Sequence, residues 1–95
     1  MKTEIIEELI LTLRDRKANP KENSYTCKLF QGGDNKILKK LGEELIEFVR
    51  AYLVEDESRA VEECSDILYH LFVALEYKNI RFEKVLEELY QRHHK

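Results

Sequence analysis

The sequence lacks several features that define whole classes of protein. It has no tryptophan, one proline, three glycines and two cysteines among its 95 residues. Cys27 and Cys64 form no CxxC pair, which excludes a disulfide framework and leaves no structural zinc motif. No apolar run approaches membrane-spanning length, and the N-terminus has no signal-peptide stretch. We therefore expect a cytoplasmic protein with reduced thiols and no membrane partner.

The charge balance excludes another class. Charged residues make up 37% of the chain, but the net charge is only −3, so the sequence does not predict a nucleic-acid binder. A hydrophobic content of 43% is typical of a soluble globular chain. A chain this short predicts one domain, residues 1–95, with a thin core. Association with a second copy is then the natural way to bury further apolar surface.

Apolar residues recur at helical spacing in four segments, and no segment shows strand-like alternation. The first predicted helix runs from about Thr3 to Lys17. Pro20 and the Gly32-Gly33 pair indicate a connecting loop over 18–34, within which residues 25–30 could form a short helical turn. The second helix should begin near Asp34, a good cap residue, and end near Leu53.

The third and fourth helices complete a predicted all-α, four-helix bundle. The third opens at the acidic run 55–57 and ends near Lys78 and Asn79, and its second half is apolar on nearly every side. The fourth begins near Phe82, and we expect its apolar residues to face inward: Val85, Leu86 and Leu89.

Two acidic pairs lie on consecutive predicted helices, Glu44 with Glu47 and Glu63 with Asp66. Residues three apart project from one face of a helix, and both pairs border apolar positions. If the helices pack antiparallel, four carboxylates converge and would resist ionisation unless a cation neutralised them. Carboxylate oxygens without thiolates favour Mg²⁺ or Mn²⁺, which suits hydrolysis of a phosphoanhydride.

The same pattern has a simpler explanation, because an ExxE pair in a highly charged chain is usually a solvated helix face. Pattern alone leaves both explanations open. His70, on the face of Glu63 and Asp66, is more often a residue that supports a site through hydrogen bonds than a metal ligand. A basic cluster before Glu44 could anchor phosphate or simply be solvated: Lys36, Lys39 and Lys40.

Several motifs, in order along the chain, resemble those of the phosphoribosyl-ATP pyrophosphohydrolases of histidine biosynthesis, members of the MazG-like all-α nucleotide pyrophosphohydrolases. The matching runs are Ser24-Tyr25-Thr26, Leu29-Phe30, Gly33, Lys39-Lys40-x-Gly42-Glu43-Glu44-x-x-Glu47 and Glu63-x-x-Asp66-x-x-Tyr69-His70. The acidic motifs alone would indicate the superfamily, and the remaining runs favour the narrower family. The resemblance implies a MazG-like bundle completed by homo-oligomerisation, as a homodimer or a larger assembly.

The resemblance also implies an activity and its residues. The substrate would be a small nucleotide, phosphoribosyl-ATP, hydrolysed to phosphoribosyl-AMP and pyrophosphate. Mg²⁺ would be the cofactor, and its ligands, which are also the catalytic residues, would be Glu44, Glu47, Glu63 and Asp66. Substrate contacts would come from Ser24, Tyr25, Thr26, Lys39, Lys40 and Glu43, with His70 in a supporting role.

Two departures qualify the resemblance. A lysine that the family commonly has near Leu53 is absent, and no cyclohydrolase domain is fused to this chain, which predicts the stand-alone form. Two other functions remain open at this point: a house-cleaning pyrophosphohydrolase acting on dNTPs or damaged NTPs, and a non-catalytic helical dimer with a structural cation.

Overall fold

A computed structural model describes all residues, 1–95, and confirms the all-α prediction. It contains four helices and no strand: α1 (Glu4–Ala18), α2 (Tyr25–Val54), α3 (Glu57–Tyr77) and α4 (Phe82–His93). None of these helices combines the length and the apolar character that crossing a membrane requires.

Helix α2 begins nine residues earlier than the start predicted at Asp34, so the predicted loop over 18–34 is wrong in its second half. Ser24 caps the helix by accepting a hydrogen bond from the Cys27 N–H at 3.2 Å. The glycine pair bends the helix without ending it, because Gly33 adopts φ 68° and ψ −160°. Only glycine reaches that region without strain.

Helices α2 and α3 are joined by a short link and pack antiparallel, since Tyr25 near the start of α2 meets His70 late in α3, while Glu44 meets Glu63. The kink at Gly33 lies against the Tyr77 hydroxyl, 3.1 Å from where a Cβ would be. Their shared core includes Leu29, Ile37, Phe72 and Val73. Burial of these side chains is the main force that fixes the pair.

Helix α1 covers one side of the pair with Ile10 and Leu13, and two basic residues at its end attach it to α3. Lys17 Nζ donates to the Glu76 carbonyl at 2.7 Å and to Asn79 Oδ1 at 2.8 Å. Arg14 Nε donates to Glu76 Oε1 at 3.0 Å. The carbonyls at the C-terminus of a helix attract cations, so α1 satisfies groups that would otherwise lack partners.

Helix α4 buries no residue. Its first residue, Phe82, meets Phe72 edge-to-face with ring centroids 4.8 Å apart, and Val85 is half-buried. Leu86 and Leu89 are more than half exposed, so the prediction that they face inward is wrong for a single chain. The physical reason is that α1 and α3 offer α4 only an edge, and the thin core ends there.

Candidate active site

Three carboxylates from two helices form an acidic cluster at the α2–α3 contact. Glu44, Glu63 and Asp66 each offer an oxygen, and these atoms all lie within 4.8 Å of one another. Glu63 is 2% exposed and Glu44 is 8% exposed, whereas Asp66 faces solvent. The cluster is therefore buried on the protein side and open on one side, as a site that receives a ligand must be.

The cluster holds more negative charge than its surroundings stabilise. The pKa of Glu44 is raised from 4.5 to about 7, first by burial, then by its hydrogen bond with Glu63, and then by the charge of Asp66 and its other acidic neighbours. Two ionised carboxylates cannot hydrogen-bond each other, so that contact needs a proton on one of them. When both carboxylates are ionised, the buried Glu63 Oε2 has no hydrogen-bond partner.

A hard divalent cation fits this cluster. All the donors are carboxylate oxygens, the ligand type that Mg²⁺ and related ions prefer. A buried carboxylate oxygen without a donor is costly, and a cation would replace the missing proton. The fit rests on this orphaned oxygen as well as on the proximity of the three acids.

The Ser24-Tyr25-Thr26 run lies against α3 beside the cluster. The Thr26 hydroxyl hydrogen-bonds the Tyr69 hydroxyl, and the Tyr25 ring stacks on Tyr69 with centroids 6.2 Å apart. Burial raises the pKa of the Tyr25 hydroxyl, and so do the nearby charges of Glu44 and Asp66, against the opposing effect of Lys40. The influence of Glu44 and Asp66 on this pKa indicates that the phenol lies near the acidic cluster. The Ser24 hydroxyl caps the start of α2.

His70 supports this arrangement through both ring nitrogens. Nδ1 lies 2.7 Å from the Asp66 carbonyl oxygen, which can only accept, so Nδ1 carries the hydrogen. In the neutral imidazole Nε2 is then an acceptor, and the Tyr25 hydroxyl donates to it at 2.9 Å. Both nitrogens are thus engaged by protein groups, and the supporting role of His70 at the site stays a prediction.

The other residues predicted for the site lie on the exposed side of α2. Lys40 Nζ is 3.8 Å from Glu43 Oε2 and 3.9 Å from Glu44 Oε1, so its charge is adjacent to the cluster. Lys39 is exposed. Glu47 is also exposed and lies outside the three-residue cluster, although its charge contributes to the raised pKa of Glu44. Its role as a fourth ligand stays a prediction.

One residue at the cluster was not identified from the sequence. Arg59 Nη2 donates to Glu63 Oε1 at 2.5 Å, and Nη1 of the same guanidinium donates to Glu62 Oε2 at 2.5 Å. The signal was present, because residues four apart on a helix are neighbours and Arg59 precedes Glu63 by four. The spacing alone does not distinguish this pair from the many other charged pairs of the chain.

A large groove lies elsewhere, between α1 and α4. It has a volume of about 530 Å³ and is lined mainly by apolar side chains such as Ile6, Phe82 and Leu86. None of the clustered carboxylates lines it. Its one cation, Arg14, is already paired with two glutamates, so the groove offers no free positive charge to a polyphosphate, and the acidic cluster is the better candidate site.

Comparison with known proteins shows the family of the chain. The model of the phosphoribosyl-ATP pyrophosphohydrolase family matches residues 6–93. The chain belongs to this family. It is 44% identical over 94 residues to the phosphoribosyl-ATP pyrophosphatase of Clostridium acetobutylicum, covering 99% of this chain and 86% of that protein. The phosphoribosyl-ATP pyrophosphatase of Bacillus cereus is 45% identical over 87 residues, covering 92% of this chain and 81% of that protein.

A bifunctional relative contains the same domain within a longer protein. The histidine biosynthesis bifunctional protein HisIE of Prochlorococcus marinus is 46% identical over 85 residues. The match covers 90% of this chain but 38% of that protein. Members of the phosphoribosyl-ATP pyrophosphohydrolase family are hydrolases, so the resemblance seen in the sequence motifs is confirmed, and the chain is an enzyme of this type.

Proposed function

We propose that this chain hydrolyses phosphoribosyl-ATP to phosphoribosyl-AMP and pyrophosphate, the second step of histidine biosynthesis, at the acidic cluster with Mg²⁺ bound. The observation that supports this most directly is the convergence of Glu44, Glu63 and Asp66 around a buried oxygen without a donor. The relatives named above carry this substrate in their names. A catalytic domain over residues 1–95 is part of the proposal.

The cation would be held by Glu44, Glu63 and Asp66, with Glu47 as the proposed fourth ligand from the next turn of α2. When bound, the cation supplies positive charge to the phosphate oxygens and lowers the pKa of a coordinated water. The carboxylates hold this charge in place from two helices that pack tightly. The rigid α2–α3 contact therefore sets the geometry of the site.

The neighbouring polar residues are proposed to bind the nucleotide. Because the Tyr25 hydroxyl donates its hydrogen to His70, its lone pairs remain to accept from a ribose hydroxyl. Lys40 is adjacent to the cluster and provides a cation for a phosphate oxygen, with Lys39 on the same turn. Thr26 and Ser24 complete the polar rim, and Glu43 fixes Lys40 from the solvent side.

We also propose that the enzyme is a homodimer or a larger homo-oligomer. Many large apolar side chains of α2 and α3 are exposed in the single chain, among them Ile46, Val49, Tyr52, Leu53, Val61 and Leu68. An apolar surface of this extent on a small chain is typical of a surface that associates. The two cysteines are free, which supports the reducing environment of the cytoplasm as its location.

The test is to incubate the purified chain with Mg²⁺ and phosphoribosyl-ATP and to measure pyrophosphate and phosphoribosyl-AMP. We expect rapid release of both in equal amounts and none after chelation of the metal. Parallel reactions with dUTP and dCTP examine the house-cleaning alternative. Efficient dNTP hydrolysis with no release from phosphoribosyl-ATP would overturn the proposed substrate, and no hydrolysis of any nucleotide would favour the structural-cation alternative.

A further inference from the structure

We propose that Arg59 is a positioning residue that orients the Glu63 carboxylate for the cation. The inference rests on the proposed function only in that it requires a divalent cation at the acidic cluster. It assigns a task to a side chain that touches neither the nucleotide nor the reacting atoms.

The guanidinium of Arg59 is held by its own surroundings. Its backbone N–H donates to Asp56 Oδ1 at 2.9 Å, which anchors the residue in the first turn of α3. Its Nη1 donates to Glu62 Oε2, and its Nε lies 4.0 Å from Glu55 Oε1. Carboxylates one turn before and one turn after Arg59 therefore restrict the motion of the guanidinium, which is itself planar and rigid.

Glu63 uses one oxygen for this arginine and keeps the other free. Oε1 accepts from Arg59 Nη2 at 2.5 Å, while the buried Oε2 has no donor. The carboxylate therefore cannot rotate without losing a charge-assisted hydrogen bond. It presents one defined oxygen to Glu44 and Asp66, which makes Glu63 a ligand through a single oxygen.

Arg59 also lowers the cost of burying this charge. Glu63 is 2% exposed, and a buried carboxylate without a cationic partner is costly to the fold. The Arg59 side chain stays 43% exposed at the edge of the cluster, and its Nη1 donates to exposed Glu62. It can thus neutralise Glu63 from outside without occupying the position between the three carboxylates.

The sign of the effect separates positioning from simple electrostatics. If Arg59 were only a neighbouring positive charge, its removal would tighten cation binding, because like charges repel. If Arg59 positions Glu63, its removal frees the carboxylate and weakens binding. Residues that orient metal ligands through hydrogen bonds typically change metal affinity by about 10–100-fold.

The experiment measures Mn²⁺ affinity by the loss of the free-ion electron paramagnetic resonance signal, which needs no substrate. We expect Arg59→Met to weaken Mn²⁺ binding about tenfold and Arg59→Lys to restore part of the loss. Methionine keeps the apolar stem and a good helix propensity, and Arg59→Gln is a second variant in case the first folds poorly. Thermal melting followed by circular dichroism confirms that each variant is folded.

The matched control is Arg92→Met. Arg92 also pairs with a glutamate four residues away on its own helix, with its Nε 3.2 Å from Glu88 Oε2, but it lies on α4 outside the cluster. We expect this variant to bind Mn²⁺ like the wild type. A merely structural role for Arg59 would lower the melting temperature and leave the Mn²⁺ affinity of the folded protein unchanged.

The variant Glu63→Gln distinguishes a failure of the proposed cation site from a failure of the proposed role of Arg59. If the wild type binds Mn²⁺ and Glu63→Gln does not, the cation site stands. In that case, equal or tighter binding by the folded Arg59 variants overturns the role of Arg59 alone. If the wild type binds no Mn²⁺ at millimolar concentration, both the cation site and the role of Arg59 are wrong.

Discussion

The α2–α3 pair and helix α4 show opposite uses of polar and apolar residues. The pair buries charged and polar side chains, Glu44, Glu63 and His70, at its contact while leaving many large apolar residues exposed outside. Helix α4 has a strongly amphipathic sequence but buries no residue. Burial of polar groups costs free energy, so such groups usually have hydrogen-bond or charge partners or serve a function. The polar groups of an exposed helix are solvated and need neither. The chemistry of this protein is therefore concentrated where its packing is tightest.

This contrast makes α4 a reference region for experiments on the pair. It contains a glutamate, a leucine, a tyrosine and an arginine in exposed positions: Glu88, Leu86, Tyr90 and Arg92. The same residue types occur at the α2–α3 contact, where we assign them a role in packing or in the site. Substituting both members of such a couple distinguishes a loss at the site from the general effect of changing that residue type.

The largest difference should appear in turnover. Asp66→Asn keeps the size of the side chain and removes a proposed cation ligand, so we expect kcat to fall about a thousandfold. The reason is that the charge supplied by a metal stabilises the transition state by several kcal/mol, and each 1.4 kcal/mol changes the rate about tenfold. Asp66 is exposed, so the melting temperature should change little. Pyrophosphate release is the measurement, and Glu88→Gln on α4 should retain full activity. Normal turnover by Asp66→Asn would remove this residue from the proposed cation site.

The next difference concerns stability. Leu29 is fully buried between the helices, so Leu29→Ala should lower the free energy of unfolding by about 3 kcal/mol through lost apolar burial and a residual cavity. Leu86→Ala on α4 should cost less than about 0.5 kcal/mol in the monomer. Urea titration followed by circular dichroism compares the two. A similar cost for both would mean that α4 is covered in solution, by a second copy of the chain.

The stability of the α2–α3 pair should depend on pH through the titration of Glu44. Its pKa in the folded, metal-free protein is about 7, above the ordinary value of 4.5, so the folded state binds more protons than the unfolded state between these values. The contribution of Glu44 to stability is therefore fully present below about pH 4.5 and is lost as the pH rises through about 7. Glu44→Gln should remove this dependence in urea titrations across that range.

Cation binding should depend on pH in the opposite direction. Because the cation must displace the proton of Glu44, Mn²⁺ affinity should rise with pH up to about 7, by at most about tenfold per pH unit. Titration with Mn²⁺ at several pH values measures this slope. An affinity independent of pH between 5 and 7 would contradict the raised pKa of Glu44.

We expect the smallest effect on stability and KM from the removal of one hydroxyl group. Tyr25→Phe removes the donor to Nε2 of buried His70, and leaving that nitrogen unpaired should cost about 1 kcal/mol of stability. KM for phosphoribosyl-ATP should rise at the same time, since the phenol is a proposed ribose contact. Tyr90→Phe on α4 is the control and should change neither quantity. Equal behaviour of the two variants would argue against the Tyr25–His70 contact.

The residues of this chain explain why some predictions succeeded. The spacing of Ile6, Ile10 and Leu13 is a local property of a helix, so the number and type of elements could be predicted. The start of α2 could not, because Gly32-Gly33 usually ends a helix, and here Tyr77 and Phe30 pack around the bend and keep it continuous. The exposure of Leu86 could not be predicted either, since an amphipathic pattern indicates an apolar face without showing what covers it.

The sequence by itself determined four helices, the family and the acidic residues available to the site, because helix periodicity and motif order are written along the chain. Only the tertiary structure decided which acids meet. The antiparallel packing of α2 on α3 brings Glu44 to Glu63 and Asp66 and leaves Glu47 in solvent, and it sets Tyr25 against His70. Contacts across two helices depend on their angle and rotation, and these follow from the packing of the whole core.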